Sequence, residues 1–283
     1  MKISPQAKEK IAFLVLGIAT CLVLIPVFVI IFILMEKGAQ AISWEFLTAK
    51  PRMGMRAGGI FPAIVGTVYL VLGTVTAALP LGLFAAIYLV EYAKGNWLTR
   101  MVEVAIVNLA GVPSVVYGLF GMGLFVIFMK LGTSILAGSL TLAIMILPVI
   151  ITASREALST VPQSFREVSR ALGVSKWQTI WHVVLPNAIS GILTGTILGV
   201  SRAAGETAPI LFTAAAFYLP KLPQSIFDQC MALPYHLYVL STQVPNVNPK
   251  IQYGTALVLV GLVFFTNLVA IIIRARFRAR KQW

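Results

Sequence analysis

The chain has 283 residues, of which 59% are hydrophobic and 11% charged, with a formal net charge of +13. Its mean hydropathy of +0.92 excludes an ordinary soluble domain and places it among integral membrane proteins. Nine acidic residues, mostly dispersed, and two isolated histidines, His182 and His236, form no obvious catalytic or metal-binding constellation. No glycine-rich phosphate loop with Gly-Lys-Ser/Thr is present, so ATP is not bound by that route.

A membrane-crossing helix needs about 20 predominantly apolar residues. Six stretches meet that requirement: Ile11–Met35, a segment within Ala57–Val90, Val104–Met129, Leu131–Ala153, a segment within Asn187–Tyr218, and Ile251–Ile273. The first is longer than a signal-peptide core and lacks a small-residue cleavage site after it, so it reads as an anchor. The loop at 36–59, with Lys50-Pro51-Arg52 and Gly58-Gly59, follows as an external segment. The second stretch is too long for one upright helix, and Pro62 and Pro80 put its start at the interface. The third carries Pro113, Ser114, Gly118, Gly121 and Gly123, small residues that let helices approach closely. Cys21 in the first span and Cys230 in an external loop imply no disulfide framework.

With the N-terminus inside, the cytoplasmic segments hold 14 Lys and Arg and the external ones 7. This bias follows the positive-inside rule and places the loop at 154–186 in the cytoplasm. The basic excess therefore needs no nucleic-acid partner, and the run from Arg274 to Lys281 is a positive-inside anchor.

The 154–186 loop is polar and has a definite local shape. Thr160 and Gln163 have capping-box spacing, with Pro162 in the first turn, where a missing N–H costs nothing. Phe165, Val168 and Leu172 make an apolar stripe, while Arg166, Glu167 and Arg170 face elsewhere. Gly173 suits the left-handed position that ends a helix, and Ser175 with Gln178 makes a second capping box. The pattern predicts a short helix, a sharp turn and a helix re-entering the membrane at Leu185-Pro186. An ordinary amphipathic loop helix fits the same residues. Ala171-Leu172-Gly173-Val174-Ser175 also looks like the turn of a DNA-binding helix-turn-helix. Such a domain needs about 50 residues and its own core; this loop has 33, pinned between spans.

The spacing Glu167-Val168-Ser169, three residues, Gly173, nine residues, Val183-Val184-Leu185-Pro186 resembles the EAA loop of ABC-importer permeases. In that family the loop is a cytoplasmic coupling helix docked on a separate ATPase, which implies that role for Glu167, Val168, Ser169 and Gly173. The general motif has Ala-Ala where Val168-Ser169 stand here. Val168 is the bulkier departure and bears on the docking surface.

The fifth span carries Gly191, Gly195 and Gly199 on one face, a helix-packing signal. It then holds Arg202 and Glu206, spaced to pair on one helix face, with Gly205 and Pro209 able to open the helix and free backbone groups toward a polar cavity. A charged residue near mid-membrane costs about 2.5–3.5 kcal/mol even on lenient scales, so Arg202 marks a functional site or a structural ion pair. A guanidinium forks onto tetrahedral oxyanions, and an arriving phosphate could take Arg202 over from Glu206. The wording Arg202-Ala203-Ala204-Gly205-Glu206-Thr207-Ala208-Pro209 looks like phosphate-import permeases of the PstA type more than their PstC-type partners. Gly58-Gly59-Ile60-Phe61-Pro62-Ala63-Ile64 and Gly111-Val112-Pro113-Ser114-Val115-Val116-Tyr117-Gly118-Leu119 look like the same family. The resemblance implies Arg202, Glu206 and Thr207 as substrate-pathway residues.

The expected fold is an all-α integral membrane protein, a six-transmembrane-helix type I ABC-importer permease with both termini in the cytoplasm of a bacterial inner membrane. Residues 1–58 form the anchor helix and external loop, 59–274 the permease core, and 275–283 a basic cytoplasmic tail. The external loop 217–250, with five prolines, reads as an ordered cap. By resemblance the partners are a PstC-type permease subunit, a PstB-type ATPase dimer carrying ATP and Mg, and an external phosphate-binding protein, within the lipid bilayer. No cofactor and no catalysis are expected in this chain. Alternatives are a permease for sulfate or molybdate, an ion-coupled secondary transporter or channel, or a membrane enzyme. The second leaves the Glu167–Pro186 pattern without a reason, and the third lacks an obvious catalytic constellation.

Overall fold

The computed structural model describes residues 5–279. The chain begins with a long helix, α1 (Pro5–Gly38), followed by α2 (Trp44–Thr48) and a two-stranded antiparallel hairpin, β1 (Pro51–Arg52) with β2 (Ala57–Gly58). Then come α3 (Phe61–Ile87), α4 (Trp97–Ala110), α5 (Ser114–Gly121) and α6 (Ile135–Ser159). Next follow α7 (Gln163–Ala171), α8 (Lys176–Thr179), α9 (Leu185–Gly205), α10 (Ala208–Thr213), α11 (Leu233–Thr242) and α12 (Pro249–Ala279). Wide π-turns at Tyr88–Tyr92, Met122–Phe128 and Ile180–Val184 extend α3, extend α5 and join α8 to α9. The N-terminal residues 1–4 and the last part of the basic tail, 280–283, lie outside the described residues. The described part of the tail simply continues α12, so no break separates core from tail at 274.

Among the described residues, five helical stretches are long and apolar enough to cross a membrane, Glu9–Ala41, Phe61–Tyr92, Ile135–Ser159, Lys176–Gly205 and Pro249–Arg276, and the bent pair Trp97–Ala110 with Ser114–Phe128 makes a sixth if it counts as one span. The stretch Phe61–Tyr92 passes through Pro80 as one helix of 32 residues. At 1.5 Å per residue it is about 48 Å long, more than the hydrocarbon layer of about 30 Å, so its end projects beyond the membrane.

The expected third span, Val104–Met129, is not a single helix. The chain bends by 106° between Trp97–Ala110 and Ser114–Phe128. Pro113 has no N–H to continue a ladder, and its ring drives Val112 out of helical geometry. The first arm, α4, has no buried residue and is held to α6 by a 2.7 Å bridge between Glu103 and Arg155.

The core is built on α3, α6 and α9. Leu142, Met145, Ile146 and Ile150 of α6 are essentially inaccessible and pack with Leu70 and Ala78 of α3. Small residues set these approaches. A Cβ on Gly191 or Gly195 would stand 2.5 or 2.3 Å from the Cβ of Ala157 or Ala153, so α9 lies directly on α6. Gly199 faces Ile146 and Ile150 at ordinary contact distance. Gly121 is pressed against Thr141, whereas Gly123 has nothing within 4 Å.

The cap at 217–250 is more than a connector. Cys230, Met231, Leu233, Val239 and Leu240 are buried and belong to the main core, and His236 is buried with them. Leu233 N–H donates to Thr67 Oγ1 at 2.8 Å, pinning the cap to the first turns of α3. The anchor α1 packs chiefly against α12 and leaves most of its apolar surface exposed.

Candidate functional site

Two regions hold the residues singled out from sequence. The first is the loop between α6 and α9. Gly173 adopts φ +75°, the left-handed conformation that ends α7. Ser175 and Gln178 form the expected reciprocal capping box at the start of α8. The box expected at Thr160 and Gln163 does not form. Pro162 occupies the cap position without a side-chain bond, and Thr160 instead donates to Ala157 O at 2.8 Å, closing the preceding helix.

The faces of α7 are inverted relative to a surface helix. Val168 and Leu172, two of the three stripe residues, are 60% and 77% exposed. Phe165 turns inward onto an apolar cluster formed by the C-terminal ends of α3 and α6 and the start of α9. Arg166, expected to face away, is buried. Its Nε donates to Glu91 Oε1 at 2.9 Å, Nη1 to Val161 O at 2.7 Å and Nη2 to Leu158 O at 2.9 Å, with Nη2 also 2.8 Å from Glu91 Oε1 in an ion pair. These bonds are what make burial of the charge tolerable.

Ser169, which stands where the general motif has alanine, is buried, and its hydroxyl bonds the Thr179 hydroxyl at 2.7 Å. The serine thus fastens α7 to α8. Glu167 remains exposed beside Val168. A helix that hides Arg166 and displays Val168, Leu172 and Glu167, with Arg170 also exposed, is a surface suited to a partner.

The second region is the break after α9. Gly199 faces Ile146 and Ile150, near the middle of the 25-residue α6. Arg202, one turn further on, therefore lies roughly level with the middle of α6. Its Nε lies 3.3 Å from Glu206 Oε1. The pair does not share a helix face as expected from sequence: α9 ends at Gly205, and Glu206 is extended (φ −76°, ψ 131°). The helix cannot continue because Pro209 favours a fresh start, and α10 begins with Pro209 in its first turn. Thr207 is the residue before α10, its carbonyl accepting from Leu211 N–H at 3.1 Å.

The Arg202 and Glu206 side chains are 38% and 19% exposed, so the pair opens onto an unfilled side of the molecule. Open space also surrounds Gly205, with no atom within 4 Å of its would-be Cβ. The opposite wall is α5, where Gly118 abuts Ala208 O and Tyr117 donates to Leu109 O at 2.6 Å. A planar cation with one ion-pair partner among the described residues can receive an oxyanion through its remaining N–H groups.

Arg202, Glu206 and Thr207 thus cluster at one break. Glu167, Val168, Ser169 and Gly173 cluster in the loop, and Gly191, Gly195 and Gly199 line the α6 side of α9. Sequence reading missed Glu91 and the inward turn of Arg166. The one available signal was a lone acid directly after an apolar span, which named no partner 75 residues away.

A family model described as binding-protein-dependent transport system inner membrane component matches residues 78–282. Phosphate transport system permease protein PstA 1 of Mycobacterium tuberculosis is 35% identical over 256 residues, covering 89% of this chain and 83% of that protein. The probable phosphate transport system permease protein PstA of Methanocaldococcus jannaschii is 35% identical over 266 residues, covering 93% and 92%. The probable ABC transporter permease protein YqgI of Bacillus subtilis is 33% identical over 248 residues, covering 83% and 84%. Among solved structures, the inward-facing MetNI methionine ABC transporter superposes with a TM-score of 0.60 over 77% of this chain and 97% of that chain. At 16% sequence identity this is a likeness of fold.

Proposed function

This chain belongs to the inner-membrane components of binding-protein-dependent transport systems, and from that membership we propose that it is the permease subunit of an ATP-driven importer of inorganic phosphate. The family and the apolar helices make it a multi-pass membrane protein that works with other ABC transporter subunits. The names of the PstA relatives favour phosphate as cargo. The observation that carries the reading in this molecule is the Arg202–Glu206 pair at the helix break that ends an apolar, membrane-crossing stretch.

In this reading a PstC-type permease closes the open side of the Arg202 region, and the two chains enclose one pathway. Glu206 holds the guanidinium in place and offsets its burial while the path is empty. An arriving phosphate accepts hydrogen bonds from Arg202, with the Thr207 hydroxyl beside it, and Glu206 takes the cation back as the anion leaves. Such an exchange lowers the cost of dehydrating the anion without creating a deep well. Both termini are cytoplasmic, and the exposed Val168, Leu172 and Glu167 of α7 meet one subunit of a PstB-type ATPase dimer. ATP and Mg are bound there, and hydrolysis takes place on that partner. An external phosphate-binding protein delivers cargo at the cap formed by 36–59 and 217–250.

The test is ATP-dependent uptake of labelled phosphate by proteoliposomes holding the whole complex, with sulfate in excess. Wild type is expected to resist sulfate, and Arg202→Gln to assemble yet lose at least ~90% of uptake, since removing one partner of a charge-assisted anion contact typically costs over 1.4 kcal/mol. Normal transport by Arg202→Gln would make the pair structural. Uptake of sulfate or molybdate in place of phosphate would keep the importer and overturn its cargo.

A further inference from the structure

The loop that bears α7 is covalently continuous with α6 and α9, but α3 reaches it only through side chains. The contact is concentrated on one guanidinium. Arg166 bonds Glu91 in the π-turn that ends α3, Leu158 O in the last turn of α6, and Val161 O in the bend leading to α7. The two side chains are 10% and 8% exposed, so the pair is shielded from water. A second tie runs from α8, where Lys176 donates to the Glu91 carbonyl and its ammonium sits 4.7 Å above the Tyr92 ring. The Ser169–Thr179 bond then fixes α7 to α8. On the other side of the helix, Val168 and Leu172 are exposed. The helix thus has a free apolar face for a partner and a charged root anchored in α3.

We propose that Arg166 is the positioning residue that carries displacement of α7 to the span α3, through Glu91. Separating a buried ion pair strands a charge on each side, so a push on the exposed face moves α3 with α7 before it breaks this link. The apolar contacts beneath it, Ile87 with Leu158, Ile180 and Val184, can slide, whereas a guanidinium clamp of three hydrogen bonds and an ion pair fixes direction. Without the clamp the loop would still move α6 and α9, and α3 would lag. This inference rests on the ATPase-coupled reading above but not on the identity of the cargo.

The experiment compares wild type, Arg166→Met, and Arg166→Met with Glu91→Met, each in the complete complex. The double variant leaves no stranded charge and restores an apolar contact, so a merely structural role predicts that it recovers wild-type behaviour. The expected result is that it assembles and melts like wild type and hydrolyses ATP, while anion moved per ATP falls at least tenfold in both variants. Spin labels at the exposed Tyr88 and Ser164, in a background lacking Cys21 and Cys230, give a second readout. Wild type should hold one narrow distance with and without nucleotide, and the double variant should broaden. Wild-type transport per ATP in the double variant, or an unbroadened distance, would overturn the proposal. If the wild-type complex shows no anion-stimulated ATP hydrolysis while the distance results hold, the importer reading fails and the mechanical link stands.

Discussion

Replacing Gly195 with alanine tests how closely α6 and α9 are apposed. The added Cβ would stand 2.3 Å from the Cβ of Ala153. Methyl carbons rest about 3.5–4.0 Å apart, so the helices must part or slide by more than ~1 Å. Overpacking of a tight contact costs about 1–3 kcal/mol, and with a second helix as the obstacle a value of about 2 kcal/mol is expected. Exchanging the residues, Gly195→Ala with Ala153→Gly, moves the methyl group from one wall to the other. Its opposing helix-propensity effects of about 1 kcal/mol each cancel, and it should return to within about 1 kcal/mol of wild type. Thermal unfolding in detergent can be followed with a thiol-reactive fluorophore in a Cys21→Ser background. Cys230 is fully buried, and burial pushes its thiol pKa up to about 12, so it reacts only on unfolding. The single variant should melt several degrees lower and the exchange should recover most of the loss. A single variant that melts with wild type, or an exchange no better than the single, would refute the close α6–α9 contact.

Two further expectations concern the cap. His236 is almost wholly buried, its Nδ1 has no partner among the described residues, and burial lowers its pKa to about 4. Below its ordinary value of about 6.5 the unfolded chain takes up a proton that the folded one refuses, so stability is intact above that pH. It falls as the pH drops toward 4, by up to roughly 3 kcal/mol. Melting temperatures at pH 7.5 and 5 should differ for this reason, and His236→Phe should flatten the difference. Gly66→Ala would drive its Cβ to 2.0 Å from the Met231 carbonyl oxygen, detaching the cap from α3, whereas Gly123 has open space around it. Folded yield by size-exclusion chromatography should collapse for Gly66→Ala, and Gly123→Ala should stay within about 1 kcal/mol of wild type.

Much of this protein is written in short stretches of sequence. Apolar runs fix the spans because a bilayer demands about 20 such residues. Gly173 ends α7 and Ser175 with Gln178 begins α8 because conformation and capping depend on residues within one turn. The i, i+4 separation of Arg202 and Glu206 brought them within reach, although the helix ended between them. Other features required the tertiary structure. The glycines of α9 mark a face that packs, but nothing within one span says which helix it meets, so its seat against α6 is a tertiary feature. The 106° bend at Pro113 was drawn as a single span because hydropathy sums over a break without registering it. The burial of the cap depends on what α3 offers it, and the stripe on α7 turned outward because Arg166 found Glu91. That pair joins residues 75 apart, brought together by the packing of α3, α6 and α9. Local order follows from neighbours along the chain, and the charge that fastens the loop follows from neighbours only folding can supply.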